Sequence, residues 1–216
     1  MNNYQDKRLL TEKYIIASCS IRDSVIYKNG KAVFEEKGDP ISGFLDKAYQ
    51  YFNTRYPKFY KMDNLSKLGL LATEILLNEN FIAGNYQSDE MGIVLMNASA
   101  SLDTDIKYYK TVSDIASPAL FVYTLPNIVI GEICIRNNFK GENAFFVFKQ
   151  FDATFMAQYV NNLFDNNLIK GCICGWLELL EENYKAVLLL VEKQQGNQSL
   201  VFTEENINKI YRIDNG

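Results

Sequence analysis

Short apolar and β-branched runs alternate along this chain with longer stretches whose apolar residues recur every three or four positions. The first pattern buries strands and the second gives a helix one apolar stripe, so the alternation requires helices layered on a sheet. Lys13–Ile21 reads as a first strand buried on both faces. Asn29-Gly30, set between Val25–Tyr27 and Ala32–Phe34, is a hairpin signal, and Lys28 and Lys31 send that hairpin into solvent. Tyr49–Lys61 is rich in Tyr and Phe. Asp63 is then placed to cap a helix reaching about Asn78, with Leu65, Leu68, Ala72, Ile75 and Leu76 on its apolar face.

Met91–Met96 reads as a second buried strand that empties into the small polar loop Asn97–Asp103, a loop type found above the carboxyl edge of a parallel sheet. A polar helical piece around Ile106–Val112 follows, Ser117-Pro118 breaks the chain, and Thr124-Leu-Pro126 offers a helix start. Asn127–Arg136 is apolar on nearly all sides, which predicts deep burial, with Gly131 allowing close packing. After the turn Asn137–Lys140 and Gly141, Ala144–Phe148 is a short aromatic strand. Lys149-Gln150-Phe151 connects it tightly to a helix capped by Asp152, whose apolar face is Phe155, Met156, Tyr159, Val160, Leu163 and Phe164. Ile169–Leu180 and Lys185–Val191 form an antiparallel hairpin across Glu181–Tyr184, and an amphipathic helix over Thr203–Tyr211 ends the chain. With no internal repeat or linker, residues 1–216 are expected to form one α/β domain with three layers and a mixed sheet.

The chemistry open to such a unit is limited by a count of zero: the chain has no histidine. Imidazole bases, acids and metal ligands are thereby excluded, Ser-His-Asp and Cys-His nucleophile systems among them. The four cysteines, Cys19, Cys134, Cys172 and Cys174, show no C-x-x-C and are expected to be reduced and buried, with Cys172 and Cys174 on one face of a strand. No metal site or cofactor is expected. A net charge of -4 disfavours nucleic acid as a partner. The polar start lacks a secretory h-region and no apolar run is long enough to span a bilayer, so a cytoplasmic location is expected. Neither G-x-G-x-x-G nor a P-loop is present. Ser99, Ser101, Asp103, Thr104 and Asp105 read as a solvated helix start rather than a cation loop. Glu178, Glu181 and Glu182 read as exposed turn acids.

The strand-turn-helix over residues 145–164 is the most informative feature, because a side chain at such an elbow faces the positive end of a helix and nearby backbone N–H groups. Here the elbow holds Lys149, Gln150, Phe151 and Asp152, with no Ser, Cys or Thr nucleophile. Asp152 as a plain helix cap and Gln150 as turn filler are the simplest reading of the residue types.

Three segments in order, Tyr56–Leu71, Gly92–Asp105 and Ser117–Arg136, followed by Phe139-Lys-Gly141, resemble the N-terminal half of β-ketoacyl synthases, and the match covers about Lys13–Val191. The nearest resemblance is to the short ketosynthase-like proteins and chain-length factors of aryl-polyene and flexirubin-type pigment clusters. It implies a thiolase-like half-fold, one βαβαβαββ unit in three α/β/α layers with a five-stranded mixed sheet. In the family, a nucleophilic Cys at the elbow works with two His from a second copy of that unit, for which this chain has no room. Counted from Gly141, the Cys position falls at or next to Gln150, similar to chain-length factors, so the resemblance implies no catalytic residue and no condensation by this chain alone. It implies pairing with a β-ketoacyl synthase in a heterodimer, or with itself in a homodimer, and an indirect relation to an acyl carrier protein. Phe121, Tyr123, Phe145, Phe148, Phe155, Met156 and Tyr159 are the interface or tunnel candidates. The elbow helix would need a cover: the C-terminal helix, a second copy, or a ketosynthase. Two alternatives stand beside this reading. One is an acyl-thioester-processing enzyme such as a malonyl-carrier decarboxylase. The other is a stand-alone acyl-carrier-binding module, for which the net negative charge is a poor match apart from Lys107 and Lys110.

Overall fold

A computed structural model describes residues 12–196 and 198–213. In chain order the elements are β1 (Tyr14–Arg22), β2 (Val25–Lys28), β3 (Lys31–Glu35), α1 (Ile41–Tyr51), α2 (Asn64–Leu77), β4 (Met91–Asn97), α3 (Leu102–Val112), α4 (Pro118–Phe121), α5 (Ile128–Asn137), β5 (Asn143–Val147), α6 (Ala153–Asp165), β6 (Gly171–Leu180), β7 (Asn183–Glu192), β8 (Leu200–Val201) and α7 (Glu204–Ile213). The sheet runs β3-β2-β1-β7-β6-β4-β5, with β8 also on β1. β4 pairs in parallel with both β5 and β6, and the other pairs are antiparallel.

Alternation along the strands sorts their side chains into two layers. On β6, Ile173, Leu177 and Leu179 join the core built by α1, α2 and α5, whereas Cys172, Cys174 and Trp176 join the core beneath α6 and α7. β4 divides in the same way, with Ile93 and Leu95 on the first side and Val94 and Met96 on the second. The three-layer α/β arrangement with a mixed sheet is therefore present, but the sheet has eight strands rather than five. The difference arises at the N-terminal edge. The β2–β3 hairpin does not project into solvent: Val25 and Ile26 are buried, and β2 continues the ladder on β1 from Cys19 to Arg22. β8 takes the remainder of that edge at Tyr14 and Ile15. β1 buries Ala17, Cys19 and Ile21 in the first core and Ile15 in the second, while Ile16 and Ser18 are half-buried.

The helix over 128–137 is less enclosed than its composition predicts. Val129, Ile130 and Ile133 are buried while Ile135 and Gly131 are exposed, so Gly131 serves no close approach. Gly69 on α2 does that instead, since a Cβ there would lie 2.4 Å from Val129 Cγ2 and 2.8 Å from Leu177 Cδ2. The helix starts at Ile128, two residues beyond Pro126, without a side-chain cap.

Asp63 does cap α2. Its Oδ1 accepts from the Ser66 N–H at 2.9 Å and its Oδ2 from the Thr104 hydroxyl at 2.6 Å, which ties α2 to the first turn of α3. Burial raises the Asp63 carboxyl above its ordinary value of 3.8, against the lowering effect of those two hydrogen bonds. A raised folded-state value means that the folded chain holds this proton more tightly than the unfolded chain. The contribution of Asp63 is thus most favourable below pH 3.8 and declines as pH rises through the folded value. Asp63→Asn, which keeps an acceptor for Ser66, is expected to flatten this part of the pH dependence. Denaturant midpoints from pH 3.5 to 7, as on the order of half-unit steps around the ordinary carboxylate range, test it; parallel curves for the two proteins would refute the assignment.

Candidate functional site

The chain leaves β5 at Val147, turns through Phe148–Asp152 and enters α6 at Ala153. Both sides of this corner are pinned. The Phe148 N–H donates to the Asn97 carbonyl at the end of β4, at 2.9 Å. Asn97 in turn closes its own loop, accepting from the Ala100 N–H at 2.9 Å and donating to the Ala100 carbonyl at 2.8 Å. On the helix side, Asp152 Oδ1 accepts from the Phe155 N–H at 2.8 Å and its carbonyl from the Met156 N–H at 3.0 Å. Asp152 is thus the cap that its position after a tight turn predicts.

Lys149 and Gln150 face solvent beside a depression of about 350 Å³ lined by Phe148–Thr154 and by Asn208 of α7. Phe151 turns inward, edge-on to Trp176 at 6.0 Å and stacked on Tyr211 at 4.2 Å. Lys185 Nζ lies 3.9 Å from the centre of the Tyr211 ring. Burial raises the Tyr211 hydroxyl above its ordinary value, with the Glu178 carboxylate adding to the effect.

This corner offers helix-end N–H groups, and its turn residues Lys149–Asp152 include no Ser, Cys or Thr. A glutamine amide is a donor and acceptor that neither ionises near neutral pH nor attacks a thioester. The thiols lie elsewhere. Cys172 and Cys174 are fully buried in β6 beneath α6, and Cys19 is buried in β1. Burial, and secondarily the neighbouring Cys172, pushes the Cys174 thiol well up, which keeps it protonated and inert. Burial likewise raises half-buried Cys134. Among the described residues no cluster of His, Cys, Asp and Glu could hold a metal ion, and no helix is long and apolar enough to cross a membrane.

The aromatic candidates fall into separate groups. Phe148, Phe155 and Tyr159 gather around Phe146, with ring centres 4.8 to 6.0 Å apart, and Met156 is buried in the same layer. Phe145 points to the opposite core. Phe121 is exposed beside Tyr108, and Tyr123 is buried with its hydroxyl donating to Glu132 at 3.1 Å. The C-terminal helix, one of the covers expected for the elbow helix, packs on it, α7 against α6.

The acids have structural partners. Glu178 lies within β6 and its Oε2 accepts from the Ala98 and Ser99 N–H groups, so it holds the loop after β4 and is not an exposed turn residue. Glu182 accepts from the Ile41 N–H at the start of α1. Asp103 is buried, accepting from the Glu181 N–H and from Lys107. Lys107 is thereby engaged within its own helix. The sequence reading missed Trp176, Lys185 and Tyr211 as neighbours of the elbow; the period of two that pairs Cys172 with Cys174 also places Trp176 on that face, whereas nothing local signals Tyr211.

No protein-family model and no curated protein matches the sequence. Solved structures do match. The ishigamide ketosynthase/chain length factor superposes with a TM-score of 0.63 at 14% identity, covering 87% of this chain and 63% of that one. A ketosynthase in complex with its chain length factor from Xenorhabdus doucetiae gives 0.56 at 12% identity, covering 86% and 80%. A type II polyketide acyl-carrier protein in complex with its ketosynthase gives 0.57 at 13% identity, covering 86% and 63%. This chain therefore spans less than two thirds of the length of the first of these neighbours. Its architecture, a mixed sheet between helical layers with a strand-elbow-helix on one edge, is the thiolase-like fold of ketosynthases and chain length factors.

Proposed function

We propose that this chain is a non-condensing, chain-length-factor-type subunit that pairs with a true β-ketoacyl synthase in carrier-bound acyl-chain assembly of the polyketide or fatty-acid type, with an aryl-polyene pigment as the product class. The observation that carries the reading is the elbow itself: a capped helix start and a pinned strand end hold Gln150, which the resemblance puts at or next to the position of the family's nucleophilic Cys. Condensation needs a thiolate to take the acyl chain and donors to stabilise the developing oxyanion. The first is missing at the corner, and imidazole is missing from the whole sequence. The scaffold retains an open strand edge at β5, suited to pairing with another chain.

Co-expression with a β-ketoacyl synthase from the same genome tests the proposal. Gel filtration is expected to give a 1:1 heterodimer, and the condensation rate of the pair is expected to exceed that of the synthase alone by about tenfold or more, the scale of a 1.4 kcal/mol effect. A synthase that is fully active and equally chain-length-selective without this chain refutes it. So does a covalent acyl adduct on this polypeptide, detected by intact-mass measurement.

A further inference from the structure

The C-terminal helix contributes little buried surface of its own. Among the described side chains of α7, Ile207 is fully buried, Ile210 and Tyr211 are half-buried, and Glu204, Glu205, Lys209 and Arg212 face solvent. A ten-residue helix does not persist in water without docking, so its place depends on a few anchors. Phe202, just before it, is one, buried with its N–H donating to the Lys13 carbonyl at 2.7 Å. The other is a clasp at the far end. The Phe151 ring stacks on the Tyr211 ring with centres 4.2 Å apart, and the Lys185 ammonium lies 3.9 Å from the same ring centre. Lys185 Nζ also donates to the Tyr211 carbonyl at 3.2 Å. Tyr211 thus contacts both an elbow residue and a sheet residue. Phe151 immediately precedes the cap Asp152 and touches the only tryptophan, Trp176.

From this geometry we infer that α7 is a strap that closes the elbow, with Tyr211 clasped by Phe151 and Lys185, and that it lifts as one unit and loosens the start of α6 when it does so. Once Tyr211 leaves, Phe151 loses its stacking partner one residue before the cap, and the Asp152 hydrogen bonds to Phe155 and Met156 lose their lateral support. Lifting also uncovers Phe151 and Trp176, an apolar surface beside Gln150 that the closed form hides. This opening belongs to the chain itself and goes beyond the pairing proposal, so its test needs no partner.

Residue-resolved native-state hydrogen exchange on the full chain tests it. The amides of Ile207–Tyr211 and those of Phe155 and Met156 are expected to share one exchange-competent opening. That opening should be at least about tenfold more frequent than the one that exposes β6 and β7. If α7 exchanges no faster than the central strands, or if it exchanges fast while Phe155 and Met156 follow the strands, the strap does not exist as described. A second readout uses Trp176: Tyr211→Ala is expected to red-shift its emission and about double its acrylamide quenching, whereas Tyr211→Phe, which keeps the ring, leaves both unchanged. Unaltered Trp176 emission and quenching in a folded Tyr211→Ala protein would show that Tyr211 is not the clasp.

Discussion

Replacing Gly175 with alanine is expected to leave little or no folded protein. Gly175 lies in the middle of β6, opposite Leu188 of β7, in the longest antiparallel pairing of the sheet. Its φ is 156°, and a Cβ at this position would fall 2.0 Å from the Val187 carbonyl oxygen and 3.0 Å from the Leu188 Cα. These obstacles are backbone atoms locked in a ladder between β1 and β6, so no side chain can swing aside. Relief requires separating the strands on which both cores rest. The expected loss is on the order of 4 kcal/mol or more, against a total stability of about 5–15 kcal/mol for a domain. The control is Gly131, which is helical and exposed and whose added Cβ meets nothing within 4 Å. Gly131→Ala is expected to stabilise by roughly 0.5–1 kcal/mol. Denaturant titration of the two variants beside the parent separates the effects, and a Gly175→Ala protein as stable as the parent would contradict the β6–β7 register.

Under the proposed pairing with a ketosynthase, Val147→Pro is expected to disable that contact while sparing the chain itself. Among the described residues β5 ends the sheet and bonds on one side, to β4. The Ile93 N–H donates to the Glu142 carbonyl and the Phe148 N–H to the Asn97 carbonyl, so even-numbered residues of this strand face β4. The alternation leaves the main-chain groups of Asn143, Phe145 and Val147 directed outward, available to a strand from another chain. Val147 is the most suitable of these for a test because its side chain is exposed, at 54%. Proline there removes an outward N–H and places its ring against an incoming strand without touching the β4 ladder. The dissociation constant of the complex is expected to rise about tenfold or more, roughly 1.4 kcal/mol or above. The unfolding midpoint of the isolated chain should move little. Calorimetric titration with the synthase decides the matter, and unchanged affinity would mean that the open edge of β5 is not the contact surface.

Much of this architecture can be read from short stretches of sequence. The buried strands at Met91 and Gly171, the helix following Asp63 and the elbow helix following Asp152 each carry a strong local signal: an uninterrupted apolar run, or a cap before a helical apolar stripe. These signals come from groups fewer than about five residues apart, where backbone geometry alone sets the relation. The failures involve the same physics at longer range. Gly131 and Gly69 are both helical glycines with apolar neighbours, and only the crossing of α2, α5 and β6 makes Gly69 the point of contact. The β2–β3 hairpin has the turn residues of a free ribbon, yet it joins the sheet because β1 has an unpaired edge beside it. Glu178 looked like one of three exposed acids, but it faces the loop after β4, eighty residues earlier in number, through Ala98 N–H.

The candidate site divides along the same line. That the elbow holds no nucleophile, and that no imidazole exists anywhere to assist one, is a matter of residue identity, which the sequence decides without any structure. The placement of Trp176, Lys185 and Tyr211 around Phe151 is a matter of tertiary structure, because it depends on how a strand, its neighbour and the last helix are stacked. Residue types limit which reactions are open. Contacts between distant segments are selected by the packing of whole layers, whose energy is shared among many weak interactions and leaves no mark on any one of them in the sequence.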